Sequence, residues 1–363
     1  MRIRLLAPAL GVAAGLGLLR AWSPGTVRPL LDDDGRPVPG SIAEKIRVPI
    51  RGRDHGMFLE GVDRKGPVLL FLHGGPGMPE YWLTRRYPTG LERSFVVAWW
   101  EQPGAGLSYA AGRPSHELTA EVFVDDTLAV ARYLSERFGH DRIYVMAHSW
   151  GSYIGLQAVA ADPSRFHAYV GVSQITHQIR SELESYTYML QRFEELGDAA
   201  MVRRLRRAPV TLDAPLPRGY SAVRDRAMHT LGVGTTRDMR SVVTGLFLPS
   251  WRFPGYTVGE KVDLWRGKIA ARRSALWDRM QATDLTRQVT RLEIPAYFLH
   301  GIHDRTASYA MARAYAGALD APVKGFYTFE RSAHSPMLEE PERTRAILTG
   351  DVLRGTNRLA DPA

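Results

Sequence analysis

The feature that most constrains the fold is the pentapeptide at residues 147–151 (AHSWG), which directly follows the apolar run at residues 143–146. A buried strand that ends at a serine flanked by small residues predicts a sharp turn from strand into helix, a nucleophile elbow. Such a turn exposes the hydroxyl of Ser149. Alanine replaces the usual first glycine and lacks its freedom at positive φ. The alternative is an ordinary helix with Ser149 as its N-cap.

A second segment with chemical meaning is the apolar run at residues 68–72, followed by His73 and the glycine-rich sequence at residues 74–77 (GGPG). A loop without side chains allows backbone N–H groups to approach a ligand closely, as an oxyanion hole requires. We predict that Gly75 and Trp150 supply these two donors, and that a hydrogen bond of His73 orients the loop. The alternative is a tight turn, which does not require three glycines and a proline.

Two further reactive groups follow predicted strands near the C-terminus. Asp304 comes after the apolar run at residues 294–299, and His334 comes after the run at residues 323–329. Serine, then acid, then histidine is the chain order of α/β-hydrolases. We therefore predict a triad in which Ser149 is the nucleophile, Asp304 orients the imidazole and His334 is the general base. The alternative for Asp304 or His334 alone is a solvated loop residue.

Other histidines compete for the role of base. His303 is the strongest competitor, but an imidazole next to Asp304 in the sequence cannot easily reach Ser149. His148 precedes the nucleophile, and we expect it to point away from the reaction centre.

These motifs together resemble the prolyl aminopeptidase branch of the α/β-hydrolases. The resemblance covers roughly residues 42–355 and is carried by residues 73–77 (HGGPG), 99–108 (WWEQPGAGLS) and 148–152 (HSWGS). It implies an α/β-hydrolase fold, in which helices flank a mainly parallel sheet and an inserted helical cap covers the serine. The family usually has aspartate and arginine where this chain has Glu101 and Pro103. We therefore expect a different contact to position the loop that the arginine usually holds.

The resemblance also implies that carboxylates in the cap bind the free amine of the substrate. The tryptophan–glutamate pair of the family is not evident, and the nearest sequence is at residues 277–278 (WD). Glu182 and Glu184 are the candidates for substrate binding, with Glu194 and Glu195 as further ones. For each of them the alternative is a solvated helix face.

The chain divides into five predicted segments, which are an N-terminal signal or anchor (1–22), a linker (23–41), a first core part (42–173), a helical cap (174–290) and a second core part (291–363). Strands alternate with helices up to residue 173, which favours a mainly parallel sheet. Prolines interrupt the helical patterns of the cap. We expect most cap aromatics to form its own core and the remainder to face the pocket, from the set Tyr186, Tyr188, Phe193, Phe247, Trp251, Phe253, Tyr256, Trp265 and Trp277.

The N-terminus suggests targeting. Arg2 and Arg4 precede an uncharged apolar run at residues 5–19, and Arg20 follows it. This pattern is typical of a signal peptide or a short anchor. We predict membrane association through an uncleaved anchor and a membrane-anchored or exported protein, with a cleaved export signal or an amphipathic helix as alternatives.

Composition limits the remaining functions. The net charge is +9, but no nucleic-acid motif accompanies it, and the basic cluster at residues 203–207 is typical of a solvated helix face, so no nucleic-acid partner is predicted. The absence of cysteine excludes disulfides and thiolate chemistry. Serine chemistry needs no cofactor, and none is expected. We predict a serine hydrolase that acts by acyl transfer on a small peptide or amide. The alternatives are an esterase or lactonase on a small natural product, and a non-catalytic ligand-binding protein of the same fold.

Overall fold

The fold is built on an eight-stranded sheet, seen here in a computed structural model that describes Gly17, residues 19–112 and residues 115–362. The strand order is β1-β2-β4-β3-β5-β6-β7-β8. β2 pairs antiparallel with β1 and β4, and the other pairings are parallel. The strands are β1 (Ile42–Ile50), β2 (Arg53–Gly61), β3 (Val68–Leu72), β4 (Val96–Glu101), β5 (Ile143–His148), β6 (Phe166–Val172), β7 (Ala296–Gly301) and β8 (Lys324–Phe329).

Helices cover the sheet and fill the long connection between β6 and β7. The α-helices are α1 (Ala120–Phe138), α2 (Trp150–Ala161), α3 (Gln178–Glu195), α4 (Ala199–Arg206), α5 (Tyr220–Leu231), α6 (Leu248–Arg252), α7 (Val258–Arg273), α8 (Leu276–Ala282), α9 (Leu285–Gln288), α10 (Tyr309–Ala318), α11 (Pro336–Glu339) and α12 (Pro341–Ile347), and π-helical turns lie at Val243–Phe247 and Leu348–Val352.

The central strands are apolar throughout because both faces of the sheet are buried. Leu70 and Leu72 of β3 pack in one apolar cluster with residues of α1 and α2. Leu69 and Phe71 point to the opposite face and pack in a second cluster with residues of the C-terminal helices. This alternation follows from the two-residue period of a strand. The predicted α/β fold, with a mainly parallel sheet flanked by helices, is confirmed.

One local prediction was wrong. The predicted alternation of strands with helices fails after β3, because the connection between β3 and β4 contains only the 3-10 helices Tyr81–Arg85 and Leu91–Arg93. Prolines and glycines recur along this connection, and both residue types disfavour a helix interior. The connection therefore remains a loop that lies over the end of the sheet.

The connection between β6 and β7 is described throughout, and it forms helices α3–α9 without a β-strand. Residues of α3, α4 and α5 make a separate apolar cluster of their own. Phe253 and Tyr256 instead join the cluster on one face of the sheet. The inserted helices are therefore packed both on one another and on the sheet.

The predicted location is contradicted by the structure. Crossing a bilayer takes about 20 predominantly apolar residues in one helix, and no helix in the described part of the chain is long and apolar enough. Most of the predicted anchor, residues 5–16 and 18, lies outside the described residues. The residues that follow it contact the inserted helices, since Lys261 Nζ donates to Trp22 O at 3.0 Å and to Ser23 Oγ at 2.8 Å.

The close packing of α2 on β3 generates a prediction about stability. A Cβ at Gly151 would lie 2.1 Å from the backbone oxygen of Leu72, which cannot move without disturbing the sheet. We expect Gly151→Ala to lower the free energy of unfolding by at least about 2 kcal/mol, as overpacking does. Urea denaturation monitored by circular dichroism measures this change.

The matched control is Gly317→Ala in α10, where a Cβ would meet nothing within 4 Å. Because alanine favours a helix interior over glycine, this variant should be as stable as the parent or gain up to about 1 kcal/mol. Equal unfolding midpoints for the two variants would contradict the prediction.

Candidate active site

The sheet brings the predicted reactive groups to one edge. β3, β5, β7 and β8 run parallel, so the loops after their carboxyl ends lie at the same side of the sheet, where ligands bind in open α/β sheets. Gly75, Ser149, Asp304 and His334 follow these four strands. Gly75, Ser149 and His334 line a cavity of about 310 Å³.

Ser149 occupies a strained turn between β5 and α2. Its backbone has φ 53° and ψ −120°, a combination that is rare for residues other than glycine. Its side chain makes no capping hydrogen bond with the helix, which rules out the simple N-cap alternative. Ala147 lies inside β5 without a positive φ, so this elbow does not need glycine at its first position.

The predicted acid and base are in direct contact. His334 Nδ1 lies 2.8 Å from Asp304 Oδ2, and Asp304 Oδ1 accepts hydrogen bonds from the amides of Thr306 (2.7 Å) and Ala307 (3.1 Å). Burial opposes ionisation of Asp304, but His334 and His300 hold the pKa of this carboxyl well below its ordinary value. An ionised Asp304 accepts the Nδ1–H of His334 and leaves Nε2 free to act as a base.

A second buried pair positions the loop that carries His334. His148 Nε2 donates to the backbone oxygen of His334 at 2.7 Å, and Ser173 Oγ donates to the same oxygen at 2.8 Å. His148 Nδ1 lies 2.8 Å from Glu80 Oε1. Burial lowers the pKa of His148, but Glu80 more than compensates, so the net shift is upward. His148 therefore lies beside His334 rather than away from the site, with both ring nitrogens engaged.

The glycine loop and the start of α2 leave two amides available near Ser149. Gly75 has φ 130°, and a Cβ there would lie 2.5 Å from the backbone nitrogen of Gly77, so only glycine fits. Among the described residues, no backbone or side-chain group accepts from the amide of Gly75 or of Trp150. The Trp150 amide is at the first residue of α2, where intrahelical acceptors are lacking. Both amides are thus free to bind an oxyanion.

His73 orients this loop, as expected from the sequence. Burial lowers the pKa of His73 to about 4, which makes the ring neutral. Its Nε2 accepts from the amide of Gln102 at 3.1 Å, so its Nδ1 donates to Gly74 O at 2.7 Å. The side chain of Gln102 donates to His73 O at 2.9 Å and accepts from the indole of Trp150 at 2.8 Å. One amide side chain therefore connects the glycine loop to the helix after the nucleophile.

Comparison with known proteins places this arrangement in a family. Residues 67–216 match the family model described as alpha/beta hydrolase fold. The chain is 30% identical over 301 residues to a Bacillus subtilis (strain 168) protein named probable aminopeptidase YbaC, an alignment that covers 83% of this chain and 93% of that protein. The chain belongs to the α/β-hydrolase family.

The hydrolase also resembles named proline iminopeptidases. It is 21% identical over 296 residues to that of Heyndrickxia coagulans, which covers 79% of this chain and 91% of the relative. The crystal structure of the proline iminopeptidase of Mycobacterium smegmatis matches with a TM-score of 0.61 at 17% identity, over 86% of this chain and 98% of that one, which shows a common fold. The resemblance to the prolyl aminopeptidase branch is confirmed.

The predicted substrate carboxylates are not in the cavity wall of the hydrolase. Glu184 is exposed on α3. Glu182 is fully buried, and its carboxylate accepts hydrogen bonds from Arg224 Nε (2.7 Å), Tyr220 OH (3.2 Å) and Gln178 Nε2 (2.9 Å). Of the nine aromatic residues of the inserted helices named above, Trp277 lines the cavity, whereas the others do not.

The loop that lacks the family's arginine is positioned by Glu101 instead. Glu101 accepts a hydrogen bond from the hydroxyl of Tyr256, which comes from the inserted helices, and another from the amide of Leu107. Burial raises the pKa of Glu101 to about 8. Sequence reasoning missed this contact, and it also missed Glu80 and His300, because no motif marks a partner that is distant in the chain.

The environment of His334 predicts the acidic limb of the pH profile. Burial lowers the pKa of His334, and Asp304 only partly opposes that shift. The base accepts a proton only when neutral, so activity is lost as the pH falls through this pKa. We expect kcat/KM for 4-nitrophenyl acetate to fall with a midpoint below about 6.5, the value for an exposed histidine. Steady-state rates from pH 4 to 8 measure the midpoint, and a value of 6.5 or above would contradict the prediction.

Proposed function

We propose that this protein is a serine hydrolase that works by acyl transfer. The observation that supports this most is the placement of Ser149, in a strained turn on the wall of the cavity that also contains His334. His334 is bonded to an ionised Asp304, which suits it to accept a proton. Strain at a turn is expected where the exposed side chain has a function.

The reaction proceeds in two halves. His334 Nε2 takes the proton of Ser149 as the hydroxyl oxygen attacks the substrate carbonyl carbon. The amides of Gly75 and Trp150 bind the oxyanion, and His334 then returns the proton to the leaving group. Water, with His334 again as base, hydrolyses the acyl-serine. Ser149 Oγ has no hydrogen bond to His334 in this structure, and such contacts commonly tighten when substrate binds.

The substrate proposed is a short peptide or amide with a free amine. Relatives of this chain are named aminopeptidase and proline iminopeptidase. Glu80 lines the cavity, and its Oε2 is buried without a hydrogen-bond partner among the described residues. Burial opposes ionisation, but His148 lowers the pKa of Glu80 overall, so the carboxylate is negative and suits an ammonium group. Helices of residues 174–290 would close over this substrate as a cap.

The catalytic roles are tested by Ser149→Ala and His334→Ala. Because triad members act as a unit, each variant should lose on the order of 10⁶ in kcat, or about 8 kcal/mol of transition-state stabilisation. A fluorophosphonate should label the parent protein but not Ser149→Ala. If the protein were a non-catalytic ligand-binding protein, the parent would not be labelled either. Initial rates on an acyl ester and gel fluorescence provide the two readouts.

His303→Ala is the matched control for the base. His303 is partly exposed one residue before Asp304, and it is not part of the cavity wall. We expect it to keep activity within about threefold of the parent, as surface substitutions commonly do. A His303→Ala protein as inactive as His334→Ala would reassign the base, and a tenth of parental activity in Ser149→Ala would exclude this nucleophile.

The substrate class is tested by comparing prolyl and alanyl 4-nitroanilides with 4-nitrophenyl butyrate. We expect hydrolysis of the anilides, and we expect Glu80→Gln to reduce kcat/KM for them about tenfold more than for the ester, because the ester has no ammonium group to lose a charged contact. Ester hydrolysis with no anilide hydrolysis would favour the esterase or lactonase alternative. An equal loss on both substrates would limit Glu80 to positioning Gly74 and His148.

A further inference from the structure

The cavity wall has a group of cations that the proposed chemistry does not use. Arg224 of α5 and Lys268 and Arg272 of α7 all line the cavity, and we call these three side chains the cation cluster. Two carboxylates contact this cluster, Asp225, which also lines the cavity, and Glu182 behind it, whereas Glu80 on the cavity wall is paired with His148. The cluster and the two carboxylates that contact it leave one excess positive charge.

Arg224 is the most buried member, with only 8% of its surface exposed. Its Nε donates to Glu182 Oε2 at 2.7 Å, and its Nη1 lies 3.3 Å from Asp225 Oδ1. Its Nη2 is buried without a hydrogen-bond partner among the described residues. A buried donor without an acceptor is costly, and in a native protein it calls for an explanation such as a missing ligand.

Lys268 and Arg272 differ from Arg224 because, among the described residues, no carboxylate forms a hydrogen bond with either side chain. Neither makes a hydrogen bond or an ion pair with a residue in the described ranges, although Asp225 is near enough to favour the charged form of Lys268. Burial nevertheless lowers the pKa of Lys268. Lys268 is a half-buried cation without a hydrogen-bonded anion, so it gains from the arrival of one, whereas Arg272 is exposed and contributes a weaker attraction.

The position of α7 brings Lys268 next to the glycine loop. A Cβ at Gly77 would lie 3.4 Å from Lys268 Cα and 2.7 Å from Ala271 Cβ, so the helix packs directly on the loop. The start of α7 is fixed by a capping box between Thr257 and Glu260. The Lys268 side chain is thus attached close to the reaction centre on a rigid element.

We propose that the cation cluster binds a carboxylate of the substrate, so that the hydrolase prefers substrates with a carboxylate close to the bond that is cleaved. This inference rests on the proposed function. Arginine offers a planar pair of N–H donors that matches a carboxylate, and lysine adds a point charge. A cavity of about 310 Å³ is at the small end of ligand sites, which suits a substrate the size of a dipeptide.

A carboxylate close to the scissile bond can lie on either side of it. On the leaving-group side it would be the free C-terminus of a dipeptide. On the acyl side it would be the second carboxyl group of a dicarboxylic monoester. The chemistry that the cluster recognises is the same in both cases, and two substrate pairs distinguish them.

The experiment compares a charged and an uncharged member of each pair on the full-length protein. Prolyl-glycine and prolyl-glycinamide test the leaving-group side, and the mono-4-nitrophenyl ester of glutaric acid and 4-nitrophenyl butyrate test the acyl side. We expect the charged member of one pair to have a kcat/KM at least about tenfold higher, as contacts between charged groups exceed neutral ones in strength. Equal values within both pairs would overturn the proposal.

Variants assign the preference to the cluster. Lys268→Met and Arg272→Gln break no hydrogen bond within the described part of the chain, and each should lower kcat/KM for the charged substrate about fivefold or more while the uncharged one stays within twofold. Arg273→Gln, an exposed neighbour outside the cavity wall, should change neither. Arg224→Lys keeps the charge beside Glu182 but removes the planar donor pair, and it should act like the other two. Equal losses on both members of a pair would overturn the proposal.

Binding to the inactive Ser149→Ala protein separates this inference from the proposed function. Calorimetric titration with prolyl-glycine against prolyl-glycinamide, and with glutarate against butyramide, does not require turnover. Tighter binding of a carboxylate by about tenfold, lost in Ser149→Ala/Lys268→Met, would support the cluster even if the parent hydrolysed nothing. Absence of any discrimination would overturn the inference even if the parent reacted with a fluorophosphonate.

Discussion

The parallel pairing of the central strands is the constraint on which the candidate site depends. β3 and β5 are neighbours, with Leu72 opposite Ala147, so the glycine loop and the nucleophile elbow leave the sheet side by side. β7 and β8 are also neighbours, so Asp304 Oδ2 and His334 Nδ1 lie 2.8 Å apart although the two residues are 30 positions apart in the chain. Antiparallel pairing of these strands would send the loops that follow neighbouring strands to opposite edges and separate these groups.

Around this edge, buried polar groups fix one another in position. Glu80 contacts His148, His148 contacts the backbone of His334, and His334 contacts Asp304. In a buried region of low dielectric constant such hydrogen bonds are strong. For the same reason, a buried polar group that lacks one of its hydrogen-bond partners lowers the stability of the fold. Glu80 Oε2 and Arg224 Nη2 have no hydrogen-bond partner in the part of the chain that the structure describes, and both residues line the cavity. A cationic and an anionic group of one substrate would supply partners for these two atoms.

Local sequence predicted which candidate residues lie together better than it predicted the surroundings of the proposed substrate carboxylates. Ser149, Gly75, Asp304 and His334 follow apolar strands in motifs that parallel topology necessarily gathers, so a single sequence was enough to place them together. Glu182 looked like a substrate contact because carboxylates on helices were the only available signal, but Arg224, 42 residues further on, bonds to it. Contacts between helices that are far apart in the sequence depend on how those helices pack, and no local sequence pattern contains this information.

The inserted helices are joined to the core by polar contacts as well as by apolar packing. Glu260 near the start of α7 pairs with Lys45 at 2.9 Å and with Arg47 at 2.7 Å, both on β1. Tyr256, one residue before the cap of the same helix, donates to Glu101 at the end of β4. Charge-assisted and buried bonds of this kind restrict rotation of α7 relative to the sheet. The residues of α7 that we propose for substrate binding can therefore differ from the family's usual sequence. The contacts with β1 and β4 still keep α7 in a fixed position relative to the sheet.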